Sequence, residues 1–161
     1  MNKAIFLDRD GTLIVDTGYL RDPEQIEFLP DVIDILRKLK EYGYLLVLVS
    51  NQSGIGRGYF TEREHLAVQE RLAKLLAEQD AALDGMYYCP HSPDEGCGCR
   101  KPDTGMAIRA ARELGIDLSE SYMVGDKLSD IEFGTNFGAK ASFGSIKKLM
   151  FYLEEIWHSQ I

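Results

Sequence analysis

Positive charge is what this sequence has least of. Lys and Arg number 18 against 26 Asp and Glu, a formal net charge of −8, whereas a general nucleic-acid binder carries a basic balance. An anionic ligand would therefore need a local basic patch. Long apolar runs are missing too. The longest, Leu45 to Val49, is far short of the roughly 20 residues needed to cross a bilayer, so no membrane partner is expected. Met1-Asn2-Lys3 leads at once into an apolar segment, leaving no room for a signal peptide, and a cytoplasmic location is the expectation. Cysteine is scarce: Cys89, Cys97 and Cys99 all fall within eleven residues. An odd count so closely spaced disfavours a disulfide framework and favours metal. Repeats, low-complexity tracts and linkers are absent as well. A single domain, 1–161, is expected, long enough to bury a real core.

What is present is an alternation of strand and helix signals, the mark of an α/β fold with a parallel sheet. Ala4 to Leu7, Leu45 to Ser50, Met86 to Cys89, Tyr122 to Gly125 and Lys140 to Phe143 read as strands. Helices are predicted over Val32 to Tyr42, Thr104 to Leu114, Leu128 to Phe137 and Ser145 to Trp157. Thr61 and Glu64 form a capping box ahead of a long helix to about Gln79, with Leu66, Leu72, Leu75 and Leu76 expected to face inward. His65 on that helix reads as a surface residue, and His158 as part of a frayed end. Trp157 and Phe151 read as core contacts of the last helix. The connection from Asp10 to Val32 is too short for an inserted domain, so the site is expected to be open.

The chemistry collects at the ends of the predicted strands, where open α/β sheets bind ligands. Asp8-Arg9-Asp10-Gly11-Thr12 follows the first strand, and a carboxylate there can act as a nucleophile or ligate a hard cation. Ser50-Asn51-Gln52-Ser53-Gly54 follows the second, with hydroxyl, amide and backbone N–H groups that suit a phosphate cradle. Arg100-Lys101-Pro102 supplies two cations that could stabilise charge on a phosphoryl group. Gly125-Asp126-Lys127-Leu128-Ser129-Asp130 follows the fourth strand. There Asp126, with Asp8, would make a Mg²⁺ site, and Asp130 either supports it from behind or complements the dipole of the next helix. Separately, Cys89-Pro90-His91 and Cys97-Gly98-Cys99 supply a Cys₃His set, the closed tetrahedral arrangement of structural Zn²⁺, in a loop over 89–99.

In this order the four strand-end motifs resemble those of the haloacid dehalogenase superfamily of phosphohydrolases. More closely, Asn51-Gln52-Ser53-Gly54-Ile55-Gly56-Arg57-Gly58, Tyr88-Cys89-Pro90-His91 and Cys97-Gly98-Cys99-Arg100-Lys101-Pro102 resemble the D-glycero-D-manno-heptose-1,7-bisphosphate 7-phosphatase family. The resemblance covers about Ala4 to Asp130. It implies a Rossmann-like, capless fold with helices on both faces, Mg²⁺ dependence and a small zinc loop. It implies Asp8 as nucleophile, Asp10 as general acid and base, and Ser50 and Lys101 as holders of the transferring phosphoryl oxygens. Mg²⁺ would be held by Asp8, the Asp10 backbone carbonyl and Asp126, and Zn²⁺ by Cys89, His91, Cys97 and Cys99. Substrate contacts are implied for Asn51, Gln52, Ser53, Lys127 and the hook Asp16-Thr17-Gly18-Tyr19, with Arg100 reading a non-reacting phosphate. The implied partner is a small phosphorylated sugar, bound by a monomer. Histidinol-phosphate phosphatases share the zinc loop and are the second reading, with Gly54-Ile55-Gly56-Arg57-Gly58 arguing for the first. A polynucleotide 3′-phosphatase is a third, opposed by the acidic charge, and a non-catalytic zinc-stabilised binding protein a fourth.

Overall fold

The computed structural model describes residues 1–159. Five parallel strands form one sheet: β1 (Ala4–Leu7), β2 (Leu45–Asn51), β3 (Gly85–Cys89), β4 (Tyr122–Val124) and β5 (Ala141–Phe143), in the order β3-β2-β1-β4-β5. Six α-helices connect and close it: α1 (Val32–Glu41), the single turn α2 (Ser53–Gly56), α3 (Glu62–Glu78), α4 (Gly105–Leu114), α5 (Leu128–Phe137) and α6 (Ile146–Ser159). Every long element expected from the sequence is found within one or two residues of its expected ends. The helix at Ser53 is additional, and α6 carries His158 within its last turn rather than as a frayed end.

The strands are apolar on both faces, as a sheet covered on both sides requires. Period-two alternation then sorts them. Ile5, Leu7, Leu46, Leu48 and Val124 meet α1, α3 and α6 on one face; Ala4, Phe6, Val47, Val49 and Met123 meet α4 and α5 on the other. Between β1 and α1 the chain carries only a 3₁₀ turn, Pro23–Gln25, and isolated bridges at Ile14, so no second domain covers the sheet edge there. No described helix is long and apolar enough to cross a membrane.

Four side-chain expectations need correction. Leu66 is exposed, while His65 is fully buried with Val68, Gln69, Leu72 and Leu76. The inward stripe of α3 therefore runs through His65 and Gln69, one position away from Leu66. On α6 the stripe is Ile146, Leu149, Met150 and Leu153, a spacing that turns Phe151 (65 % exposed) outward; Trp157, four residues after Leu153, stays in phase with the stripe but is 53 % exposed near the end of the helix. Trp157 still covers apolar surface by stacking on Tyr42 at 5.2 Å.

The strand order fixes where a ligand can bind. Beyond β1 the chain steps outward to β2 and β3, then returns to place β4 and β5 on the other side of β1. Connections therefore leave β1 and β4 in opposite directions and open a crevice at their carboxyl ends. Leu7 pairs with Val124 in register, so Asp8 and Gly125 are the first residues beyond the sheet on either side of it.

Candidate active site

Asp8 is buried at the end of β1, and its backbone N–H donates to the Val124 carbonyl at 3.0 Å. Lys101 reaches it from the loop before α4. The ammonium donates to Asp8 Oδ1 (2.9 Å), Asp130 Oδ1 (2.7 Å) and the Val49 carbonyl (2.9 Å), which uses all three of its protons. Burial alone would push the Lys101 pKa down; Asp8 and Asp130 more than reverse that and raise it, so Lys101 stays a cation. Asn51 fixes this strap at the backbone. Its Oδ1 accepts from the Lys101 N–H at 2.9 Å and its Nδ2 donates to the Lys101 carbonyl at 3.3 Å.

One ammonium does not neutralise three acids. Oxygens of Asp8, Asp126 and Asp130 all lie within 4.8 Å of one another, and burial holds the Asp130 carboxyl above the ordinary carboxylate range despite its ion pair. Both Asp130 oxygens already accept hydrogen bonds, Oδ1 from Lys101 and Oδ2 from the Lys127 N–H at 3.2 Å as the capping box of α5. It thus fills both roles the sequence left open, support from behind and helix capping. Asp8 and the exposed Asp126 remain as hard oxygen donors facing one point, a donor set that fits a divalent cation. Two glycines make this approach possible. A Cβ on Gly11, whose φ is +82°, would lie 2.4 Å from Asp126 Oδ2, and one on Gly125 would lie 2.2 Å from Asp130 Cγ.

Asp10 is held differently. Arg9 Nε and Nη2 donate to its two oxygens at 3.2 and 3.1 Å, a bidentate pair. Gln52 Nε2 adds a donor to Oδ2 at 3.3 Å and another to Ser50 Oγ at 2.6 Å. Burial is the strongest influence on Asp10 and raises its pKa, although Arg9 opposes it. Arg9 itself is fully buried, and in the sequence it hides between two more conspicuous acids.

A cleft of about 290 Å³ opens above these groups. Asp8, Asp10 and Lys101 form one part of its wall, and Asn51, Gln52, Ser53 and Gly54 another. Arg100, Lys127, Asp16, Gly18 and Tyr19 complete it, together with Ser129 and Asp130. Of the residues implied by resemblance for catalysis, magnesium and substrate, three are not in this wall. Ser50 is buried beneath it with its hydroxyl bound by Gln52, Thr17 is exposed on the hook beside it, and Asp126 stands exposed with an oxygen near those of Asp8 and Asp130. Ser129 was not anticipated; its place after Lys127 in the motif is the only signal it gives. Arg100 keeps one Nη atom buried without a partner among the described residues.

At the end of β3, Cys89, His91, Cys97 and Cys99 converge. Cys89 Sγ lies 3.4 Å from His91 Nδ1 and from Cys97 Sγ, and His91 Nδ1 lies 3.3 Å from Cys99 Sγ. The edges of a tetrahedron with ligand bonds of about 2.0–2.3 Å measure about 3.3–3.8 Å, the same scale. Only the Cys89–Cys99 pair, at 2.7 Å, is tighter. All three cysteines are free thiols, and burial pushes the Cys89 thiol well up, so its service as a thiolate ligand calls for a cation. The cluster is tied to the cleft wall where Gly56 N–H donates to the Pro90 carbonyl at 2.8 Å.

Residues 98–143 match a family model described as HAD-hydrolase-like. A D-glycero-beta-D-manno-heptose-1,7-bisphosphate 7-phosphatase from Haemophilus influenzae is 54 % identical over 146 residues, covering 87 % of this chain and 78 % of that one. The chain belongs to that family. The enzyme of the same name from Escherichia coli K12 is 49 % identical over 146 residues, covering 85 % and 76 %. A crystal structure of D,D-heptose 1,7-bisphosphate phosphatase from B. bronchiseptica, complexed with magnesium and phosphate, superposes with a TM-score of 0.79 at 35 % identity, covering 85 % of this chain and 77 % of that one. The protein is therefore a HAD-type phosphatase, and the reading as a non-catalytic binding protein falls. The family match also continues past Asp130, to Phe143.

Proposed function

We propose that this phosphatase removes the 7-phosphate of D-glycero-D-manno-heptose 1,7-bisphosphate through an aspartyl-phosphate, working as a cytoplasmic monomer. The observation that carries the reading is the Asp8–Lys101 pair at 2.9 Å on the cleft wall, with Asp10 two residues on. Asp8 attacks phosphorus, the bond to the sugar oxygen breaks, and Asp10 gives its proton to that oxygen. Water then attacks the same phosphorus, Asp10 takes its proton, and the bond to Asp8 breaks to release inorganic phosphate. The burial that raises the Asp10 pKa suits a group that must enter the first step protonated. Lys101 and the backbone N–H groups of Ser53 and Gly54, residues of the cleft wall, would meet the phosphoryl oxygens, and Ser50 acts from below through Gln52.

Magnesium, when bound, would neutralise charge shared by nucleophile and phosphate; Asp8, Asp126 and the Asp10 backbone carbonyl are the groups that would hold it. Zinc is the metal proposed for Cys89, His91, Cys97 and Cys99, where four protein ligands leave no open position for chemistry. Arg100, with its unpartnered buried nitrogen, is proposed to read the distant phosphate, and Asp16, Thr17, Gly18, Tyr19, Ser53 and Lys127 to meet the sugar.

The names of the relatives favour the heptose bisphosphate over histidinol phosphate, and the net charge of −8 disfavours a polynucleotide. Phosphate release from a panel holding both heptose bisphosphate anomers, histidinol phosphate and a 3′-phosphorylated oligonucleotide decides among them. The bisphosphate should have the highest kcat/KM by at least tenfold. A higher value for histidinol phosphate would overturn the substrate assignment and leave the phosphatase chemistry standing.

A further inference from the structure

Arg9 is the largest fully buried side chain in the protein, and a buried guanidinium is retained against a heavy desolvation cost. Four of its contacts are defined. Nε and Nη2 hold the two Asp10 oxygens, Nη2 also donates to Gln52 Oε1 at 3.4 Å, and Nη1 donates to Gln69 Oε1 at 2.9 Å. The acceptors come from three directions: the β1 loop, the loop after β2, and the inner face of α3. Nothing in this arrangement lets Arg9 touch the cleft, whose wall it does not join. Its planar fork fixes the plane of one carboxylate, the one placed to deliver a proton, and a lysine could not do this.

We infer that Arg9 is a positioning residue for proton transfer, with Gln69 on α3 as its anchor. Together they orient the Asp10 carboxyl toward the leaving oxygen of the substrate. This rests on the reading of Asp10 as general acid. An acid is needed in proportion to how poor the leaving group is. A sugar or glycerol alkoxide departs only if protonated, whereas 2,4-dinitrophenolate departs unaided. A residue that merely supports the fold would affect both alike.

The test compares kcat/KM on glycerol 3-phosphate and on 2,4-dinitrophenyl phosphate for wild type, Arg9→Lys, Gln69→Leu and Asp10→Asn. This parameter reports phosphoryl transfer to Asp8, so the part Asp10 plays as base in the second step does not enter. Arg9→Lys should lose roughly 10- to 100-fold on the alkyl ester, within the range general-acid catalysis contributes, and less than about threefold on the aryl ester. Gln69→Leu, which keeps the Arg9–Asp10 pair, should lose less with the same split, and it carries the test if Arg9→Lys does not fold. Equal losses on the two esters, or no loss on either, would overturn the inference. Failure of the underlying reading shows separately, as Asp10→Asn giving no split or as a wild-type protein inactive on both esters.

Discussion

The carboxylate cluster at β1 and β4 and the thiol cluster at β3 both gather metal-type donors at strand ends, yet they are built in opposite ways. The first is assembled from far along the chain, with Lys101 93 residues from Asp8 and 29 from Asp130. Asp8, Lys101 and Asp130 already partner one another, so their geometry is set by the fold. The second comes from eleven consecutive residues whose donor atoms chiefly meet one another. One site is shaped by the protein; the other shapes the loop that carries it. Damage at the first should therefore appear as lost chemistry with the fold intact, and damage at the second as lost stability.

The strongest break is Asp8→Asn. It removes the proposed nucleophile and one proposed cation ligand while Lys101 keeps Asp130 as a buried counter-ion. Turnover of any phosphomonoester should fall by more than about 10³-fold with the melting temperature nearly unchanged. A variant that retains a tenth of wild-type activity would take the nucleophile role away from Asp8. A large drop in Tm would instead make the carboxylate cluster structural, and the contrast with the thiols would collapse.

The reverse break is at the thiols. Protein purified without chelator should contain about one zinc per chain, and Cys97→Ser should lower Tm by roughly 5–10 °C, since metal binding contributes directly to folding. Activity at a temperature where the variant remains folded should stay within a few-fold of wild type. Metal-free protein with an unchanged melting curve would reduce the cluster to buried thiols.

The same contrast explains what the sequence disclosed. The convergence of Cys89, His91, Cys97 and Cys99 was legible as it stood, because the four are neighbours in the chain. Asp8, Lys101, Asp126 and Asp130 were legible only as separate strand-end features, each unremarkable alone, and the motif order joined them. What the sequence concealed is the layer behind Asp10. Arg9 sits in the loop after β1 with no periodicity to place it, and on α3 the polar His65 reads as surface while Leu66 takes the inner face. The amino-terminal half of that face meets a buried guanidinium rather than an apolar core, and polar acceptors belong there. Phe151 is out of phase with the buried stripe of α6, and Trp157, though in phase, lies near the helix end, so aromatic character alone puts neither in the core.

His65 offers a smaller test of that hidden layer. Its ring is fully buried between Tyr88 and Phe60, and neither ring nitrogen has a partner among the described residues. Burial, with the Arg9 charge added, lowers its pKa to about 4. A histidine that resists protonation when folded favours the native state above its unfolded pKa of roughly 6.5 and loses that advantage as pH falls toward 4. Wild type should thus lose about 3 kcal/mol over that window relative to His65→Phe, the stability falling by about 1.4 kcal/mol per pH unit between the unfolded and folded pKa values. Chemical denaturation of both proteins at several pH values measures it. Parallel stability curves would mean that His65 is solvated, and the polar layer behind Asp10 would have to be redrawn.

The finest comparison lies between neighbours, Arg100 and Lys101. Both line the cleft, but Lys101 has spent its protons on Asp8, Asp130 and the Val49 carbonyl, while Arg100 has a buried nitrogen with no partner among the described residues. If Arg100 pairs with the distant phosphate of a bisphosphate, its contribution depends on that phosphate being present. Arg100→Ala should then lower kcat/KM for the heptose bisphosphate by about 1.5–3 kcal/mol, the range for a hydrogen bond to a charged group. On an aryl monophosphate the loss should be far smaller, because no second anion is there to be read. Lys101→Ala should depress both substrates alike, since it acts beside the phosphoryl group in transfer. Equal effects of Arg100→Ala on the two substrates would put Arg100 in the catalytic cluster with Lys101 and remove the residue that distinguishes a bisphosphate from a monophosphate.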